Sequence, residues 1–107
     1  MAGKRAGETA VIFTSRRTAA DDAGYAEAAD AMAALAAAQP GYRGVASVRD
    51  ADRVGITVSY WADAASAEAW RDHPDHVRIR NAGRERWYES YEVVVAEVTR
   101  DYRWRKG

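Results

Sequence analysis

From Thr9 to Arg17 (TAVIFTSRR) side chains alternate, with Val11, Phe13 and Ser15 on one side and Ala10, Ile12 and Thr14 on the other. β-Branched and aromatic residues dominate, so a first strand is predicted there. Both of its faces are partly apolar, and something is expected to cover each. Beyond it, Thr18, Asp21 and Asp22 offer oxygens to cap a helix start. The period then changes: Tyr25, Ala28, Ala29, Met32, Leu35 and Ala36 recur at three- and four-residue spacing, predicting a helix to about Ala38. Gln39-Pro40-Gly41 ends it, because proline removes a ladder donor and glycine accepts a left-handed turn.

Alternation returns in Tyr42–Asp50 and Val54–Trp61, a predicted hairpin of two strands. In its second arm Ile56, Val58 and Tyr60 share one face while Thr57, Ser59 and Trp61 share the other. Asp63 suits the cap of a short helix, Ala64 to about Asp72, which His73-Pro74 interrupts. A further helical piece, Asp75 to about Glu89, puts His76, Ile79, Gly83 and Trp87 along one face. Ser90–Tyr102 completes the series as a long strand, apolar on both faces at its centre. The order is β-α-β-β-α-β with the second helix interrupted near Pro74, an α+β, ferredoxin-like arrangement. We divide the chain into a flexible arm (1–8), one domain (9–102) and a tail (103–107). Helices cover only one sheet face in this topology, so a homodimer packed sheet to sheet is expected.

Composition narrows the partners. Sixteen basic and sixteen acidic residues cancel in the 107-residue chain, which leaves no global field for nucleic acid or an anionic membrane surface. No apolar run approaches a membrane span, so a cytoplasmic protein is expected. Cysteine is absent, which excludes disulfides, thiolate metal sites and cysteine nucleophiles. Leucine occurs once, at Leu35, so aromatic and β-branched residues must fill the core. Abundant alanine and arginine with little lysine suggest a GC-rich bacterial source.

The chemistry-bearing residues lie in the second half. His73 and His76 have HxxH spacing with Asp72 and Asp75 alongside, but no third clear metal ligand. His73 suits a loop-closing hydrogen bond. His76, one turn ahead of Ile79 and Gly83, is expected to face the sheet, where a neutral imidazole can take a proton from an acidic phenol. Trp61, Trp70, Trp87, Tyr88, Tyr60 and Tyr91 supply either a stacking platform for a planar ligand or the core of a leucine-poor domain. Gly83 leaves room beside Trp87. Arg84 and Arg86 sit near Glu85 and Glu89, a solvated charged face from which one arginine is free to pair with a phenolate. The tail, with Trp104 among Arg103, Arg105 and Lys106, reads as a dimer clasp or a tag-like end.

The pieces Gln39-Pro-Gly-Tyr-Arg-Gly44, Ser47-Val-Arg-Asp50, Gly55-Ile-Thr-Val-Ser-Tyr-Trp61, Trp70-Arg-Asp-His-Pro-Asp-His76 and Gly83-Arg-Glu-Arg-Trp-Tyr88 with Tyr91 together resemble the antibiotic biosynthesis monooxygenase family. The resemblance spans roughly Thr9 to Tyr102. It implies a dimeric α/β barrel with a pocket in each protomer between helices and sheet. It also implies oxidation of an anthrone-like phenol to a quinone with no cofactor, molecular oxygen being the co-substrate. His76 is then the candidate base, and Trp61, Trp70, Arg84, Trp87 and Tyr88 are the candidate substrate-binding residues. A related haem-degrading branch carries an asparagine on the first strand and a histidine ten residues after its helix tryptophan. Trp70 matches that tryptophan, but the first strand here has no asparagine and the tenth residue is Arg80. The alternative function is a non-catalytic accessory protein of the same fold that binds a ligand or haem.

Overall fold

The computed structural model describes residues 3–107. Strand β1 (Thr9–Arg17) occupies an interior position in a four-stranded antiparallel sheet of order β2-β3-β1-β4, with β2 at Tyr42–Arg49, β3 at Val54–Trp61 and β4 at Tyr88–Glu97. Helices α1 (Asp22–Ala37), α2 (Ala64–Arg71) and α3 (Pro74–Ala82) complete the ferredoxin-like fold. Asp21 is the cap of α1, its carboxylate accepting from the Gly24 amide at 3.1 Å. Asp63 caps α2 through the Ser66 amide at 2.8 Å.

The interruption between the two short helices lies where His73-Pro74 predicts it. The His73 ring nitrogen Nδ1 accepts from the Asp75 amide at 3.2 Å, so the histidine is the cap of α3 and Pro74 its first residue. Several boundaries differ from expectation. The helical piece does not continue to Glu89: α3 stops at Ala82, and Gly83–Trp87 widens into a π-type turn. Gly83 permits this turn, since a β-carbon there would lie 2.8 Å from the Tyr88 ring. Strand β4 accordingly begins at Tyr88, which pairs with Arg17 beyond an irregularity at Arg16/Arg17, and ends at Glu97 rather than Tyr102. Strand β2 ends one residue early, because Asp50 turns to accept the amides of Asp52 and Val54 at 2.9 and 3.0 Å.

Residues 3–8, read from the sequence as part of a flexible arm, are held in place by the C-terminal segment. The Arg5 amide donates to Asp101 at 2.9 Å and the Gly7 amide to the Val98 carbonyl at 2.8 Å. The Arg5 guanidinium pairs with Glu8 at 2.9 Å and lies 3.7 Å over the Tyr60 ring.

Register assigns the faces. Val11, Phe13 and Ser15 share the helix side with Ser59, Thr57, Tyr91, Val93 and Val95, and Trp61 lies there too. Ile12, Ile56, Val58, Val48 and Val94 share the other side, which no helix covers. There Val48, Ile56 and Val94 are 73%, 44% and 42% exposed. The helix side is only partly filled, for neither α1 nor α3 contains a buried residue. Val45, Val93 and Val95 on that side remain 45%, 49% and 61% exposed. Helix placement explains this: α1 packs chiefly on β2 and α2 on β1 and β3, so the edge strand β4 is left largely uncovered. The result is an open trough floored by β1, β3 and β4.

Candidate functional site

Apart from the exposed Tyr102 and Trp104, the aromatic residues fall into three groups. At one end of the helix side Trp61, fully buried, donates its indole N–H to Ser59 Oγ at 3.0 Å and receives the edge of Tyr42. Trp70 of α2 stacks on it with an interplanar angle of 23° and a centroid distance of 6.1 Å. The rings of His73 and His76 lie 5.6 and 4.9 Å from Trp70. At the other end Phe13, Tyr25, Trp87, Tyr88 and Tyr91 form a net of mostly edge-on contacts, 5.3–5.9 Å between centroids. Trp61 pairs with Thr9 and Tyr88 with Arg17, so eight strand steps of about 3.3 Å separate the groups by roughly 26 Å along β1. Tyr60 stands apart, on the opposite face under Arg5.

His76 has the clearest chemical setting. Its Nδ1 lies 3.1 Å from the Arg71 carbonyl oxygen, which can only accept, so the proton sits on Nδ1 and Nε2 carries the lone pair. Burial pushes the imidazole below its ordinary range, and the neighbouring Arg80 and His73 act in the same direction against the Arg71 hydrogen bond. The ring is therefore neutral near pH 7. His73, by contrast, spends Nδ1 on the helix cap.

The other predicted residues occupy varied settings. Arg84 is exposed and donates from Nε to the Tyr91 hydroxyl at 2.6 Å; the ion pairs expected of Arg84 and Arg86 with Glu85 and Glu89 are absent among the described residues. Trp87 is buried, with its indole N–H on Asp21 at 3.3 Å, and it seals the start of α1. The space beside Gly83 is taken by the Tyr88 ring. Tyr88 is half-buried, and burial with the nearby Tyr25 hydroxyl pushes its phenol well above the usual range, so it stays protonated. His76 and Trp70 thus share one end of the trough, and Arg84, Trp87 and Tyr88 the other.

Three residues emerge only in three dimensions. Tyr25 lies beneath the Arg17 guanidinium, 3.9 Å from ring to cation, and its hydroxyl accepts from Arg49 at 3.2 Å. Arg49 crosses Gly55, where a β-carbon would come within 2.6 Å of the guanidinium, and reaches Ser15 Oγ at 2.8 Å. Arg80, one turn after His76, buries its Nε without a hydrogen-bond partner. Only Tyr25 has a sequence signal, as part of the α1 stripe.

The surface carries shallow depressions, two of which bear on the site. One, of about 380 Å³, is bordered by Thr14, Ser15, Arg16, Val54, Ser90, Tyr91 and Glu92; the other, of about 270 Å³, lies between Gln39-Pro40 and the Asp63, Ser66 and Trp70 side of α2. Neither is an enclosed chamber around His76. Among the described residues no group of three or more histidine, aspartate and glutamate side chains is placed to hold a metal.

Comparison with known proteins places this geometry. Residues 9–82 match the family described as antibiotic biosynthesis monooxygenase. An uncharacterized protein, YqjZ of Bacillus subtilis (strain 168), is 52% identical over 91 residues, covering 85% of this chain and 79% of that protein. Among solved structures, a variant of SnoaB, a cofactor-independent oxygenase from Streptomyces nogalater, superposes with a TM-score of 0.75 at 18% identity, over 87% of this chain and 94% of that one. Rv0793 from Mycobacterium tuberculosis gives 0.73 at 18% identity, over 83% and 92%. At such identities the structural likeness speaks for the fold alone.

Proposed function

The chain belongs to the antibiotic biosynthesis monooxygenase family, and from that membership and the site geometry we propose that it is a cofactor-independent monooxygenase. Its substrate is a small aromatic or polyketide phenol, anthrone-like in its chemistry. A ring methylene becomes a carbonyl, one atom of molecular oxygen entering the product and the other leaving as water. An ionised phenol is electron-rich enough to pass an electron to oxygen itself, so the protein needs to bind, deprotonate and shield it.

The observation that carries this reading is the setting of His76: a neutral ring, oriented by the Arg71 carbonyl through Nδ1, centred 4.9 Å from the Trp70 ring, with Nε2 unpaired among the described residues. His76 is the base and Trp70 the platform, which Trp61 supports from below. Arg84, Trp87 and Tyr88 shape the far end of the trough. The same reading includes a cytoplasmic homodimer, packed through the apolar face that carries Val48, Ile56 and Val94. Among the described residues no helix is long and apolar enough to cross a membrane. Oxygen uptake by metal-stripped protein with anthrones, naphthols and hydroquinones, above a blank for autoxidation, tests the activity.

The free Nε2 of His76 also favours a second reading, a non-catalytic ligand- or haem-binding accessory protein, because such a nitrogen is able to ligate a haem iron. A Soret shift on haem addition that His76→Ala abolishes, with no oxygen uptake across the panel, would decide for it.

A further inference from the structure

His76, Arg80 and Gly83 lie on one stripe of the third helix and its extension, at spacings of four and three residues. Arg80 is half-buried, yet its Nε has no hydrogen-bond partner and, among the described residues, no carboxylate lies within 4 Å of its guanidinium. The neighbouring acids are engaged elsewhere. Asp72 is held by Arg71 at 3.0 Å, and Asp75 lies 3.7 Å from Arg78. A buried donor without an acceptor is destabilising, because its hydration is lost and nothing replaces it. Most buried polar groups are paired, so this exception marks a place where an acceptor is missing. Arg17 also has an unpartnered Nε, but its other nitrogens reach Asp22 and the Ala20 carbonyl at 2.8 and 3.0 Å.

We propose that Arg80 is a phenolate-binding residue, acting with His76 to hold the ionised hydroxyl of an aromatic ligand against Trp70. The inference rests on the reading of His76 as a base and names the group that receives its product. The O–H bond of the phenol breaks, the proton goes to Nε2 of His76, and the electron pair stays on the oxygen. That oxygen then accepts from the guanidinium of Arg80. The groups around His76 are Arg80 on its own helix, His73, the Arg71 carbonyl and the Trp70 ring, with Asp72 and the Asp75–Arg78 pair beyond. Asp72 lies near enough to feel the charge of Arg80 but gives its hydrogen bonds to Arg71, which leaves the guanidinium open to the anion assigned to it here, the phenolate.

The test uses 4-nitrophenol, whose neutral and ionised forms are distinguished by their visible spectra, titrated with pH in the presence of the full chain. The bound dye is expected to ionise at lower pH than the free dye, corresponding to about tenfold tighter binding of the phenolate than of the phenol. Arg80→Gln is expected to bring the two forms to near parity, and Arg80→Lys to retain most of the preference. Far-UV circular dichroism checks that both variants are folded. Absence of dye binding, preference for the neutral dye, or a preference unchanged in folded Arg80→Gln overturns the proposal. Should Arg80→Gln fail to fold, the charge-retaining Arg80→Lys decides: a preference for the neutral form there overturns it equally. Oxygen plays no part in this measurement. Arg80-dependent ionisation without oxygen uptake would therefore remove the oxygenase reading and leave this site standing.

Discussion

Trp61 and Trp70 face the same region, yet only Trp70 has surface to offer a ligand, for Trp61 is sealed beneath it. Trp70→Ala is expected to weaken binding of a planar phenol by about 1–2 kcal/mol, read by calorimetric titration. Asp22 carries a different prediction. Hydrogen bonds from Arg53 and Arg17 hold its carboxyl down from 3.8 to about 2. Because the folded-state value is the lower one, this contribution to stability is present above pH 3.8 and lost as pH falls through about 2. Thermal midpoints measured across that window should fall more steeply for the wild-type protein than for Asp22→Asn. Residue roles were unevenly legible. The hydrogen bond expected of His73 takes the form of a helix cap, whereas His76, expected to face the sheet, packs against Trp70 and the Arg71 carbonyl of α2. Arg80 gave no signal, because what distinguishes it is a missing partner, which depends on where Asp72 and Asp75 turn. Arg49 likewise looked like an ordinary strand residue until Gly55 opened a path across the sheet.

Between Ala82 and Tyr88 the chain changes from helix to strand through a widened turn that admits no side chain at Gly83. Gly83→Ala is expected to destabilise the fold by about 1–3 kcal/mol, as an overpacked site does, measurable by denaturant unfolding. The cap of α2 is more modest: Asp63→Ala should cost about 1 kcal/mol by the same measurement. Strands β1 and β3 and the extent of α1 were legible because alternation, capping and the Pro-Gly stop agree there. The π-type turn was not, since Asp75 to Glu89 keeps a helical period straight through it. The end of β4 was hidden too: Val98 continues the apolar run but hydrogen-bonds to the N-terminal segment instead.

One sheet face in the whole molecule carries valines and isoleucines in the open, while the other lies under helices too sparsely filled to close over it. The first feature predicts a sheet-to-sheet homodimer: sedimentation equilibrium should give twice the chain mass for the wild type and the chain mass for Ile56→Asp. A wild-type monomer would contradict it. The topology could be read from the order of elements, but the trough depends on which strands the helices come to lie over, and α1 and α2 leave β4 largely uncovered, which no residue pattern states. The proposed chemistry takes place in the trough, with His76 at its centre. The deciding measurement is the pH dependence of oxygen uptake by metal-stripped protein with an ionisable anthrone, wild type beside His76→Gln and a blank without protein. Uptake above the blank is expected, with an acid limb below pH 6.5, because burial holds His76 under that ordinary value. His76→Gln should lower the rate about 100-fold or more and erase that limb. Uptake of equal rate and equal pH profile in the two proteins would contradict it.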